Sequence, residues 1–248
     1  MDKATQQALI ALNLEFYDSC AQSFSATRQK VQPGVRKLLE RILSDATLLD
    51  LGCGNGNFAR KLAAQGFTGH YLGLDGSAAF IQEAQALLSS VSSRAVFTFH
   101  QADLTTPDWA SGLSSASFDV ITAFAVLHHL PGEDLPRQIF QQAWDLLKPT
   151  GHFFLSVWQV QNSPRLCSHS LPWSSIEIDS HELSANDLLM DWRGDAANSH
   201  TAMRYVHLFS PLELQNLGTS SGLVMEDEFF SDGKQGDLAL YEGWSKAQ

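Results

Sequence analysis

The chain has little cysteine, a deficit of positive charge and no long apolar run. Cys20, Cys53 and Cys167 are an odd number at wide spacing with no CxxC pair, a pattern that argues against a zinc site or redox dithiol and predicts free thiols and no metal. Lys and Arg number 16 against 27 Asp and Glu, a formal net charge of −11, whereas generic nucleic-acid binders are more often basic. No apolar span reaches membrane length, and the N-terminal "MDKATQQALIALNLEFYDSC" has neither a basic n-region nor a small-residue cleavage site. A cytoplasmic protein without a membrane partner is the expectation. Repeats and low-complexity tracts are also missing. What is there is a chain of 248 residues, 44% hydrophobic, long enough to bury one large core in a single domain spanning 1–248.

Apolar residues recur at helical spacing from Leu9 to Phe24, and Val35, Leu38, Leu39 and Ile42 mark a second amphipathic helix after "VQPG". Residues 1–45 thus read as an N-terminal helical cap. Strands are expected at "ATLLDL", "GHYLGLD", "AVFTFH", "FDVITAFAVL" and "HFFLSVW". Helices alternate with them at "FARKLAAQG", "AAFIQEAQALLSS" and "LPRQIFQQAWDLLK", the last set apart from its following strand by "PTG". This alternation implies an α/β fold with a mostly parallel sheet and helices on both faces. The stretch 159–203 shows no sustained period and reads as a long loop, insertion or lid. Beyond it, "SPLELQNLGTSSG" reads as a capped helix, and "LVMEDEFF" and "DLALYEGW" as an antiparallel strand pair closing the sheet.

Gly52, Gly54 and Gly56 make a G-x-G-x-G loop between the first strand and a helix. A dinucleotide fingerprint places its third glycine one position later, where Asn57 stands, and a Walker loop needs Lys followed by Ser or Thr. The loop alone is either a tight turn or a ligand cradle. Asp75 closes the second strand, where a carboxylate can accept from both ribose hydroxyls; followed by Gly76 and Ser77, it also suits a turn and helix N-cap. Asp103 follows the third strand and can accept from an adenine amine or stand as a solvated loop acid.

In order, "LDLGCGNG", "LGLD", "QADL", "FDVITAFAVLHHL" and "LLKPTGHFFLSVW" resemble the motifs of class I S-adenosylmethionine-dependent methyltransferases, over about Leu48 to Trp158. The resemblance implies a Rossmann-like methyltransferase fold with a seven-stranded sheet, and S-adenosyl-L-methionine as cofactor. It implies donor contacts from Asp50, Gly52, Cys53, Gly54 and Asn55 around methionine and ribose, Asp75, Gly76 and Ser77 at the ribose, Ala102, Asp103 and Leu104 at the adenine, and Phe124 and Ala125 along the donor. A looser likeness runs nearly end to end. "FYDSCAQSFSATRQKVQPGVRKLL", "AVLHHL", "LSVWQVQN", "DLLMDW" and "RYVHLF" resemble the methyltransferases that esterify carboxymethyl groups on transfer RNA wobble uridines. From that family Tyr17 and Arg28 carry over as contacts to the methionine part. Its members work with a small zinc-binding protein; the sequence identifies no partner for this chain.

The acceptor is expected to be either a transfer RNA or a small metabolite, and a non-catalytic donor-binding module is a third reading. A carboxylate acceptor is ionised at neutral pH and needs no general base, whereas an amine or hydroxyl profits from one. Candidates for such a base are His128 and His129, which otherwise shape a loop. Arg204, Tyr205 and His207 are candidates to face the acceptor, with Arg204 suited to a carboxylate or phosphate; Tyr205 and Phe209 equally suit a core. Arg28, Lys30, Arg36, Lys37 and Arg41 crowd one short stretch with Glu40. They form either a patch for an RNA backbone or a solvated helix face.

Overall fold

Apolar strand runs alternating with amphipathic stretches build a doubly wound sheet in the computed structural model, which describes residues 1–27, 30–192 and 202–246, with backbone alone over 20–27. Helices α1 (Lys3–Thr27) and α2 (Pro33–Leu39) precede β1 (Thr47–Leu51), α3 (Asn57–Ala64), β2 (His70–Asp75), α4 (Ala78–Ser89), β3 (Val96–Gln101) and β4 (Phe118–Phe124). Then come α5 (Asp134–Leu146), β5 (Leu147–Trp158), α6 (Pro164–Cys167), β6 (Ser170–Leu171) and β7 (Asp187–Trp192). The described chain ends with β8 (Ala202–His207), α7 (Pro211–Ser220), β9 (Leu223–Ser231) and β10 (Ala239–Lys246).

The main sheet has seven strands in the order β3-β2-β1-β4-β5-β10-β9. Its first five are parallel, and β10 is antiparallel to both β5 and β9. Parallel neighbours need crossovers, so helices cover both faces and the central strands are buried throughout. On one face Ile139 and Phe140 of α5, Leu214 of α7, Phe153 and Trp244 share a core; on the other Leu38, Phe58, Tyr71, Ile81 and Phe154 do. Chain order reverses at β1, whose neighbours are β2 and β4, and the carboxyl ends of these strands open a crevice there.

Local chemistry sets the element ends. Ser77 caps α4 by accepting from Phe80 N, and Ser210 with Glu213 closes a capping box around Pro211 at the start of α7. Helix α2 seats Gly34 against the Tyr241 ring, where an added Cβ would come within 2.2 Å of a ring carbon. The Gly34 N–H donates to Asp232 Oδ1 at 2.9 Å, and Asp232 also accepts from the Tyr241 hydroxyl.

Two expectations need correction. No break at "PTG" separates helix from strand: β5 starts at Leu147 directly after α5, and its pairing with β4 shifts from Phe118↔Leu147 to Val120↔His152. The intervening residues bulge within the strand, pinned where Lys148 Nζ meets both Asp119 carboxylate oxygens at 2.8 Å. Nor is 159–203 irregular throughout, because β6, β7 and β8 form a second, antiparallel sheet. Acids are scarce in strands, so Asp187 and Asp191 masked β7; both are buried and held by histidines, His207 and His169.

Candidate active site

The crevice at the carboxyl edge of β1, β2 and β4 holds a cavity of about 270 Å³. Its floor is the glycine loop. Gly52, Gly54 and Gly56 all take positive φ (68°, 53° and 77°), which only glycine adopts without strain. A Cβ on Gly52 would lie 2.4 Å from Val126 Cγ2, whereas one on Gly54 would meet nothing within 4 Å, so bare backbone borders open space there. The Gly54 N–H donates to Asp75 Oδ2 at 2.8 Å and the Ser77 N–H to Asp75 Oδ1 at 2.9 Å. Burial outweighs these two bonds and pushes the Asp75 carboxyl up to about 6.

Next to Asp75 the wall is Asp103, Leu104 and Thr105, where Asp103 Oδ1 accepts from both the backbone N–H and the hydroxyl of Thr105. The opposite wall is Phe124, Ala125 and Val126 at the end of β4. Ala125 stands at φ 58°, an unusual conformation for a residue with a side chain, secured by its N–H donating to the Ser156 carbonyl and hydroxyl. The roof is α1, which contributes Ile10, Asn13, Leu14, Tyr17 and Asp18, while His129, Leu130 and Trp158 close the remaining side.

Most of the expected donor contacts therefore border one cavity: Tyr17, Gly52, Gly54, Asn55, Asp75, Gly76, Ser77, Asp103, Leu104, Phe124 and Ala125. Asp50, Cys53 and Ala102 are not among its lining residues. Asp50 is buried behind the loop, where its carboxylate accepts from Thr122 Oγ1 at 2.6 Å and Tyr71 OH at 2.5 Å; burial nonetheless pushes it up to about 7. Cys53 is buried against Gly73, and burial raises its thiol well above the ordinary range. Arg28 lies outside the described residues, as does the side chain of Cys20.

Of the candidate catalytic side chains, only His129 lines the cavity. Its Nε2 is 2.6 Å from Tyr17 OH and its Nδ1 is 3.1 Å from the Tyr205 carbonyl. His128 is fully buried, accepts from Trp158 N–H at 3.4 Å and packs its ring 4.7 Å from the Trp158 ring. Arg204 is buried too, its guanidinium held 4.9 Å from the Phe16 centroid and 4.6 Å from that of Trp158. His207 lies between Asp187, 2.7 Å from its Nδ1, and Glu213. Burial works against its charge, but these carboxylates win and raise its pKa. Asp187, which also accepts from Tyr205 OH at 2.7 Å, is correspondingly lowered despite burial. Tyr205 and Phe209 are core residues.

Among the described residues of the basic stretch, Lys30, Arg36 and Lys37 are exposed and Arg41 is half-buried. Arg41 pairs with Glu226 and Asp227 across β9, Lys37 lies over the Phe229 ring, and Arg36 donates to the Val31 carbonyl. None of these borders the cavity, and no described residue from 159 to 203 does so either. Among the described residues no group of His, Cys, Asp and Glu is placed to hold a metal, and no helix is long and apolar enough to cross a membrane. Asp18, Ile10, Asn13 and Leu14 were missed in the sequence, although with Tyr17 they repeat at helical spacing along one face of α1.

A family model for the methyltransferase domain matches residues 24–228. A relative from Schizosaccharomyces pombe, a tRNA (carboxymethyluridine(34)-5-O)-methyltransferase, is 26% identical over 227 residues, covering 88% of this chain and 91% of its own. A relative of the same name from Arabidopsis thaliana is 29% identical over 147 residues, 58% of this chain; the chain spans only 32% of that protein's length. Among solved structures, a Burkholderia thailandensis 1,6-didemethyltoxoflavin-N1-methyltransferase, bound to its acceptor and S-adenosylhomocysteine, superposes with a TM-score of 0.65. That match covers 98% of this chain and 91% of the other at 16% identity, a likeness of fold.

Proposed function

The chain belongs to the methyltransferase-domain family and is an enzyme that uses S-adenosylmethionine, and we propose that it esterifies a carboxylate, the carboxymethyl group of a transfer RNA wobble uridine. The observation that carries this reading is the state of His129. Among the described residues it is the only histidine lining the cavity, and both its ring nitrogens are engaged, by Tyr17 OH and the Tyr205 carbonyl. An acceptor that arrives ionised needs no base, and a carboxylate does so at neutral pH. The names of the Schizosaccharomyces pombe and Arabidopsis thaliana relatives support the same chemistry.

In this reading the cavity is the donor site, and its residues fit the group. S-adenosylmethionine supplies a methyl group activated by sulfonium charge. The open backbone at Gly54 and the neighbouring Asn55 admit the methionine part, with Tyr17 above it. Each Asp75 oxygen already accepts one backbone bond and keeps a lone pair for a ribose hydroxyl. Asp103 keeps Oδ2 for the adenine amine. Phe124, Ala125 and Leu104 exclude water, and the acidic residues Asp18, Asp75 and Asp103 favour a cationic donor. The β6–β8 layer, with Arg204 and Trp158 at its junction with the cavity, is the acceptor side, and the chain acts as one domain with α1 as its cap.

Transfer of radiolabelled methyl from the donor to total transfer RNA, saponified beforehand to free its carboxylates, tests the reading. Incorporation that mild base releases is expected. Label entering only low-mass metabolites, or a base-stable product in RNA, overturns it.

A further inference from the structure

Asn13 is a buried polar side chain in the middle of a helix, at 6% exposure, one turn before Tyr17. Its three side-chain hydrogen bonds all run to other elements. Its Oδ1 accepts from Tyr205 N at 2.8 Å, and its Nδ2 donates to the Tyr205 carbonyl at 3.2 Å and the His129 carbonyl at 3.0 Å. The paired contact to Tyr205 reproduces what a neighbouring strand would offer β8, an edge strand of the small sheet.

The Tyr205 carbonyl also meets His129 Nδ1. A carbonyl can only accept, so Nδ1 carries the proton; in the neutral ring Nε2 is then an acceptor, and Tyr17 OH must donate to it. The circuit closes on α1. Asn13 fixes the Tyr205 carbonyl, that carbonyl selects the His129 tautomer, His129 orients the Tyr17 hydroxyl, and Tyr17 returns to the helix that carries Asn13.

We propose that Asn13 is a positioning residue for methyl transfer, which sets the His129 tautomer through Tyr205 and thereby places Tyr17 on the donor cavity. The proposal rests on the cavity being the donor site. Losing Asn13 would leave the Tyr205 N–H and one acceptor at each carbonyl without their partner, and the Tyr205 carbonyl, no longer held, would stop selecting a single His129 tautomer.

The test uses nitrogen-15 histidine spectra of the full chain, with the His129 signal identified from His129→Gln, beside calorimetric titration with S-adenosylhomocysteine. The unaltered protein should show His129 protonated at Nδ1 alone. In Asn13→Ala that signature should become a mixture, and product affinity should fall about tenfold at a temperature where the variant is folded. Leu9→Ala truncates a fully buried residue of α1 outside the cavity lining, so it should lower Tm yet leave tautomer and affinity unchanged. Asn13→Asp keeps Oδ1 for Tyr205 N and lacks the Nδ2 donors; it should reproduce the tautomer change should the alanine variant not fold. If both Asn13 variants lose only stability, as Leu9→Ala does, the proposal is overturned. Failure of the unaltered chain to bind product would refute the donor cavity instead, whatever the tautomer.

Discussion

The glycine-loop floor of the cavity and the β6–β8 layer are made differently. The floor is backbone: positive-φ glycines, N–H groups aimed at Asp75, and contacts such as Gly54 to Asp75 that span only 21 positions. The layer is held by buried side chains, some near in the chain, as Asp187 and His207 are 20 positions apart, and some far, as when Asn13 reaches Tyr205, 192 positions away. Backbone recognition demands particular residue types at fixed spacing. A side-chain network demands only complementary partners wherever the fold brings them together.

The largest way to break this contrast is Asp187→Ala. It removes the acceptor for Tyr205 OH, His207 Nδ1 and Ser184 N, and leaving these groups buried without it should cost about 3 kcal/mol in urea unfolding. Affinity for S-adenosylhomocysteine should be nearly unchanged; a matching loss of affinity would show that the two regions are one unit. Gly52→Ala tests the other side. A Cβ at φ 68° and 2.4 Å from Val126 Cγ2 should cost about 2 kcal/mol of stability and, unlike Asp187→Ala, weaken product binding by at least tenfold in titration calorimetry.

The smallest effect, and the sharpest, is in pH. Under the proposed donor site Asp75, near 6 in the folded chain, would accept ribose hydroxyls best when ionised. Affinity should therefore fall by about tenfold as pH drops through 6, and Asp75→Asn should hold the low-affinity level at every pH. His207 runs the opposite way. Its folded pKa is raised by Asp187 and Glu213 against burial, so its contribution to stability is complete below about 6.5 and fades as pH rises through the folded value. Tm should decline over that window in the unaltered chain and less so in His207→Gln. Donor affinity and thermal stability that rise and fall together with pH would contradict the separation.

How much of this was legible follows from the same contrast. "LDLGCGNG", "LGLD" and "QADL" pointed to residues that border the cavity because glycine and a strand-terminal acid are what an open backbone floor requires. They also drew in Asp50 and Cys53, which belong to the same run but face the core, since a motif does not distinguish a lining side chain from one that supports it. Strand β7 went unread because Asp187 and Asp191 disguise its alternation, and no motif spacing ties them to the histidines that hold them. The basic stretch read as either an RNA-backbone patch or a solvated helix face; Arg36 and Lys37 are exposed, and what went unread is that Arg41 and Lys37 meet Glu226, Asp227 and Phe229 of β9, nearly two hundred residues downstream.

The amino-acid sequence by itself determined the doubly wound sheet, the glycine loop and the acid closing the second strand, because periodicity, φ and backbone approach are properties of neighbouring residues. Only the tertiary structure decided that α1 brings Ile10, Asn13, Leu14 and Asp18 to the cavity beside Tyr17, that Arg204 lies between Phe16 and Trp158, and that His129 is bound at both nitrogens. Those outcomes depend on which distant groups share a dry interior, where each buried donor must find an acceptor.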